Sequence, residues 1–136
     1  MNIPLQAMLE AFTRSSERVR VVADENRRPM LLIDDAFVID FIEDDTSHVL
    51  HALSHVGQAE AGEWTAQTPY GEDWATQAFE RDGFCGVTAC NLASGNFAVT
   101  ASEPLPGLDS ARFANWMSAF RDQVIEQSAL LRSPAA

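Results

Sequence analysis

The stretch FCGVTACNLASGNFAVTASEPLPGLDSARFANWMSAFRDQVIEQSALL, residues 84–131, decides how this chain is read. Two alternating segments, Cys85 to Leu92 and Phe97 to Ser102, meet at Ser94-Gly95-Asn96, which supplies the permissive turn of a β-hairpin. Val87 and Ala89 share one face of the first segment, and Phe97 and Val99 share one face of the second, so cross-strand packing among these four is expected. Glu103-Pro104-Leu105-Pro106-Gly107-Leu108 then interrupts the strand pattern, and Asp109 is a good N-cap. Beyond it Phe113, Trp116, Met117, Phe120, Val124 and Leu131 fall on one broad face of a long amphipathic helix, which Ser133-Pro134 closes.

Towards the N-terminus, Trp74, Ala75, Ala78 and Phe79 lie near one another on a helical projection and predict a helix over Tyr70 to Arg81, ended by Asp82-Gly83. The polar, small-residue stretch Gln58 to Pro69 reads as a loop. Met30 to Ile33, Phe37 to Ile42 and His48 to Val56 are apolar runs separated by Asp34-Asp35 and Glu43-Asp44-Asp45, the pattern of a three-stranded antiparallel meander. Phe37, Ile39 and Phe41 share one face of its second strand while Val38 and Ile42 flank Asp40 on the other, so both faces carry apolar area. Arg18 to Asn26 reads either as a linker or as a short edge strand. Leu5, Met8, Leu9 and Phe12 follow helical spacing, giving a first helix over Ile3 to Ser15 with Asn2 as cap and Pro4 in the first turn. The order is therefore helix, three-stranded meander, helix, β-hairpin and long C-terminal helix: an α+β fold with helices packed on a twisted antiparallel sheet, in a single domain over residues 1–136.

Composition narrows the function. Apolar residues make up 46% of the chain, too many for intrinsic disorder despite a net charge of −11. All nine basic residues are arginines, set against 20 acidic ones, so the protein's field repels nucleic acid and anionic membrane and suits a basic or unfolded polypeptide. No apolar run reaches the roughly 20 residues of a membrane span, and the N-terminus lacks signal-peptide features, so a cytoplasmic protein is expected. Cys85 and Cys90 are too few for a disulfide framework, and their odd separation sets them on opposite strand faces.

Catalytic constellations are weak. His48, His51 and His55 would share a side only on a helix; a strand turns His48 away from the other two, which argues against zinc. Cys85 beside one of these histidines is a nucleophile only in principle, and Asp34-Asp35 and Asp44-Asp45 suit turns better than acid–base work. There is no phosphate-cradling glycine loop, nucleophile elbow or Cys-x-x-Cys, so neither an enzyme nor any cofactor or metal is expected.

The order of elements, with Pro29 to Gly57 ending in Leu53-Ser54-His55-Val56-Gly57 and Phe97 to Leu131 running through Pro104-Leu105-Pro106-Gly107-Leu108-Asp109, resembles the class I type III secretion chaperones of the CesT/Tir chaperone family. The resemblance implies a bacterial cytoplasmic homodimer that binds the N-terminal segment of a type III secretion effector, holds it extended, and delivers it to the secretion apparatus and its ATPase without hydrolysing ATP. Strand addition with apolar side chains entering hydrophobic patches would do this. Candidate patch residues are Leu5, Met8, Leu9 and Phe12 with Met30, Leu32, Val38 and Ile42. The resemblance places Trp74, Phe79, Val87 and Val99 at the dimer interface. The alternative is a non-secretion adaptor of similar fold, YbjN-like, that binds a folded partner.

Overall fold

A computed structural model describes residues 5–23, 25, 28–58, 74–91 and 95–132, with the side chains of 58, 74, 75 and 130–132 excepted. The loop expected over Gln58 to Pro69 lies outside the described residues from position 59 on, as do Asn2, Pro4, residues 70–73, Ser94, Ser133-Pro134 and the side chain of Leu131.

Helix α1 (Leu5–Ser15) is followed by β1 (Val19–Ala23), β2 (Pro29–Ile33), β3 (Phe37–Asp44), β4 (Val49–Gln58), β5 (Trp74–Arg81), β6 (Phe84–Asn91), β7 (Asn96–Pro104) and α2 (Ser110–Arg132). The seven strands form one antiparallel sheet in the order β1-β2-β3-β4-β7-β6-β5. The meander and the C-terminal strands are thus joined through β4 and β7, whose ladder runs from Val49–Pro104 to Gln58–Asn96 with a bulge between His55 and Gly57. Such a pairing is far apart in sequence and cannot be read from local pattern.

Alternation decides which side of the sheet is covered. Leu31, Ile33, Ile39, Phe41, Leu50, Ala52, Phe97, Val99 and Cys90 are buried with α1 and α2 in one core. Phe113 of α2 is its hub, meeting Phe12 of α1 edge-on at 6.4 Å, Phe41 at 5.9 Å and Trp116 at 6.0 Å between ring centroids. Asp109 caps α2 as its position predicts, its carboxylate accepting the Arg112 N–H at 2.8 Å. Arg112 in turn donates to the buried Glu103 carboxylate at 2.9 Å and lies over the Phe84 ring, which fixes the start of the helix on β7 and β6.

The α+β class, the meander, the hairpin and both terminal helices are as expected, and of the two readings of Arg18 to Asn26 the edge strand holds: β1 pairs with β2 from Val19–Ile33 to Ala23–Pro29. Two details differ. The helix expected over Tyr70 to Arg81 is, from Trp74 on, strand β5, every residue of which pairs with β6. Asp82 and Gly83 both have positive φ, 53° and 84°, the conformation that a two-residue hairpin turn requires, so they join two strands rather than end a helix. Finally, Val87 and Ala89 face away from the core and pair with Thr100 and Ala98, whereas Phe97 and Val99 face inward opposite Cys90 and Thr88. The expected packing of Val87 and Ala89 on Phe97 and Val99 is replaced by this register, since paired residues in an antiparallel ladder share a face.

Candidate functional site

Both helices lie on one side of the sheet, and among the described residues nothing covers the other side. That outer side is apolar around β3: Val38 is 37% and Ile42 53% exposed, the two large exposed hydrophobic side chains among the described residues. Met30, Leu32 and Leu53 beside them are half-buried.

Backbone pairing produces the cavity next to Ile42. The β2–β3 ladder holds only three pairs, Ile33–Phe37, Leu32–Val38 and Leu31–Ile39, although β2 begins at Pro29 and β3 continues to Asp44. On its other side β3 stays paired with β4, from Asp40–Leu53 to Asp44–Val49. From Asp40 on, β3 therefore has a ladder partner among the described residues on one side alone. Two cavities flank this open stretch. One, of about 220 Å³, is lined by Arg28, Pro29, Met30, Asp40, Phe41, Ile42 and Leu53. The other, of about 250 Å³, is lined by Leu5, Arg28, Pro29, Phe41, Ile42 and Glu43 and reaches α1. A stretch of strand without a ladder partner, with an apolar pocket on each side, has the geometry by which an extended chain can add to a sheet and lodge alternating side chains.

The expected patch residues divide between core and surface. Met8, Leu9 and Phe12 are fully buried, so the apolar face of α1 serves the core and reaches the cleft only through Leu5. Met30, Leu32, Val38 and Ile42 lie on the outer side of the sheet. Of the residues expected at a dimer interface, Val99 is interior, Val87 is half-buried on the outer side, and Phe79 packs against the core cluster on edge strand β5. The Trp74 side chain lies outside the described residues. Sequence reasoning missed Arg28, Pro29, Phe41, Glu43 and Leu53. Phe41-Ile42, two adjacent apolar residues that must face opposite sides of a strand, was the available signal.

Groups that might have carried chemistry have structural settings. His48 sits in the β3–β4 turn with φ 57°, while His51 and His55 point from the outer side, His51 Nδ1 lying 2.6 Å from Ser102 Oγ. No cluster of three His, Cys, Asp or Glu side chains among the described residues is arranged to hold a metal ion. Asp44 Oδ1 accepts the Thr46 and Ser47 N–H groups, and the hydrogen bonds from Ser47 hold its carboxyl below the ordinary value. Cys85 is exposed and Cys90 buried; both are free, and burial pushes the Cys90 thiol up, away from the reactive thiolate.

No family model and no curated protein matches the sequence. The fold does have counterparts. A chain in the structure of the HopA1–SchA chaperone–effector complex superposes with a TM-score of 0.51 at 15% identity, over 91% of this chain and 92% of that one. A chain in the crystal structure of the Yersinia pestis type III secretion chaperone SycH in complex with a stable fragment of YscM2 superposes with a TM-score of 0.51 at 10% identity, over 92% and 97%. No helix among the described residues is long and apolar enough to cross a membrane. From its first helix to its last, this chain has the class I type III secretion chaperone-like fold.

Proposed function

We propose that the protein is a cytoplasmic, non-enzymatic chaperone that binds the N-terminal region of a type III secretion effector and keeps it extended for delivery to the secretion apparatus. One observation carries the reading: among the described residues β3 has no ladder partner on its β2 side from Asp40 to Asp44, with an apolar cavity on either face. An unfolded segment can satisfy its own backbone there and bury side chains, which is what a holding chaperone must offer. The likeness to chains from chaperone–effector complexes supports the same reading. Leu5, Met30, Leu32, Val38 and Ile42 form the client patch. A homodimer belongs to the proposal, with Trp74, Phe79 and Val87 on the β5–β6 side of the sheet as its contact and Val99 beneath them, and the secretion ATPase is the proposed recipient of the complex.

Affinity capture of the tagged chain from its native host, with mass spectrometry of what co-purifies and light scattering of the eluted complex, tests the proposal. Two copies of this chain on one client, held through the client's N-terminal region and with no turnover, is the expected result. A bare monomer, or binding of folded partners alone, would overturn it in favour of the adaptor reading.

A further inference from the structure

The open stretch of β3 reads Asp40-Phe41-Ile42-Glu43, an apolar pair between two acids. Strand alternation sends Asp40 and Ile42 to the outer side of the sheet and Phe41 and Glu43 to the helix side. Asp40, Met30 and Leu53 line only the outer cavity and Leu5 and Glu43 only the inner one, while Phe41 and Ile42 stand between them and line both. Each cavity therefore has an apolar floor and one carboxylate; Arg28 is the cation in both linings.

A strand laid beside β3 meets these positions one by one. Opposite Phe41 and Ile42 it needs two consecutive apolar side chains, one entering each cavity, and opposite Asp40 and Glu43 it needs a cation on each side, because directly opposed residues in a ladder share a face and unlike charges favour the pair. Resting on the chaperone reading above, we infer that the cleft is selective: its ligand is an extended segment of the form basic–aliphatic–aliphatic–basic, added as a strand to β3. The net charge of −11 acts in the same direction at longer range, drawing cationic segments towards the surface. The same feature disfavours acidic segments of equal hydrophobicity, so charge supplies the discrimination and the apolar pair supplies the grip.

The test uses the full chain and fluorescein-labelled synthetic peptides carrying Lys-Val-Leu-Arg between Gly-Ser arms, read by fluorescence anisotropy. The Lys-Val-Leu-Arg peptide binds at least about tenfold more tightly than a Glu-Val-Leu-Glu peptide, and raised salt narrows the gap. A version with proline in place of the valine, which removes a ladder donor, loses binding. Ile42→Arg abolishes binding, and Asp40→Lys and Glu43→Lys each weaken the basic peptide and strengthen the acidic one. Asp122→Lys, the same charge change on an exposed position of α2, changes both affinities far less than Glu43→Lys does. Thermal melts of all variants identify any that fail to fold, and the exposed Glu43 site keeps the test valid if Asp40→Lys is one of them.

Equal binding of the basic and acidic peptides, or an Asp122→Lys effect as large as that of Glu43→Lys, would overturn the inference. Failure here is separable from failure of the chaperone reading. A native client that binds wild type and Ile42→Arg alike would refute this site while leaving the chaperone role in place. Selective peptide binding without any secreted client would preserve the site and remove the chaperone role.

Discussion

The two ends of the sheet are held in different ways. In the β4–β7–β6–β5 part the ladders run nearly the whole length of the strands, and β5 and β6 are paired at every residue. The β1–β2 hairpin joins the rest through core packing of Val19, Leu31 and Ile33, three ladder pairs and a charge contact at one end. There the Asp34 carboxylate, in a turn with φ 55°, lies 3.5 Å from both Arg18 Nε and Arg121 of α2, while Arg20 pairs with Asp35 at 2.8 Å. In the first part only the outer edge of β5 lacks a ladder neighbour along the length of a strand among the described residues. The second is pinned at the Asp34 end, while towards Pro29, which has no N–H to donate, its ladder with β3 stops, and the two cavities lie beside that stretch. The cavities in this fold thus lie where strand pairing is incomplete.

This contrast can be broken deliberately, and the largest effect should come from what both parts share. Leu9 is fully buried where α1 meets the common core, so Leu9→Asp places an unpaired carboxylate there and should cost at least about 4 kcal/mol, unfolding the chain in a circular dichroism melt. Gly86→Ala probes the fully paired part. A Cβ at Gly86 would come within 2.5 Å of the Phe79 ring and 2.6 Å of the Thr100 carbonyl oxygen, and overpacking of this kind should cost about 1–3 kcal/mol in denaturant titration. Asp109→Ala removes the cap of α2 and should lower stability by about 1 kcal/mol with no preference for either part.

Asp34→Asn tests the pin itself. Asparagine tolerates the left-handed backbone but carries no charge for Arg18 and Arg121, so global stability should fall by less than about 1 kcal/mol. Amide exchange in β1 and β2 should accelerate while that of β5 to β7 stays unchanged. The smallest effect belongs to the cleft: Ile42→Arg, at a side chain 53% exposed, should change stability by no more than about 0.5 kcal/mol.

The same contrast explains what the sequence could and could not tell. Local periodicity was sufficient for α2, where Phe113, Trp116, Met117, Phe120 and Val124 are all buried, and for the three strands of the meander. It misled at β5, because Trp74, Ala75, Ala78 and Phe79 happen to fit a helical face. The partnership with β6 overrides that pattern, and Asp82-Gly83, a strong hairpin signal, was the residue pair that could have corrected it. On α1, helical spacing identified an apolar face but not what it touches; Phe113 from the far end of the chain settles that it is core. The cleft was legible only in part. Val38 and Ile42 stood out as apolar residues on the second face of a strand, but the cavities depend on where the β2–β3 ladder stops, which is a relation between strands.

The most direct test of the account is hydrogen–deuterium exchange of the full chain with and without a bound client segment or the Lys-Val-Leu-Arg peptide, read at the amides of Asp40 to Asp44. The account predicts slowed exchange concentrated in this half of β3, with the β5–β6 amides unchanged by the peptide. Binding that leaves Asp40 to Asp44 exchanging as fast as before, with protection elsewhere, would contradict it.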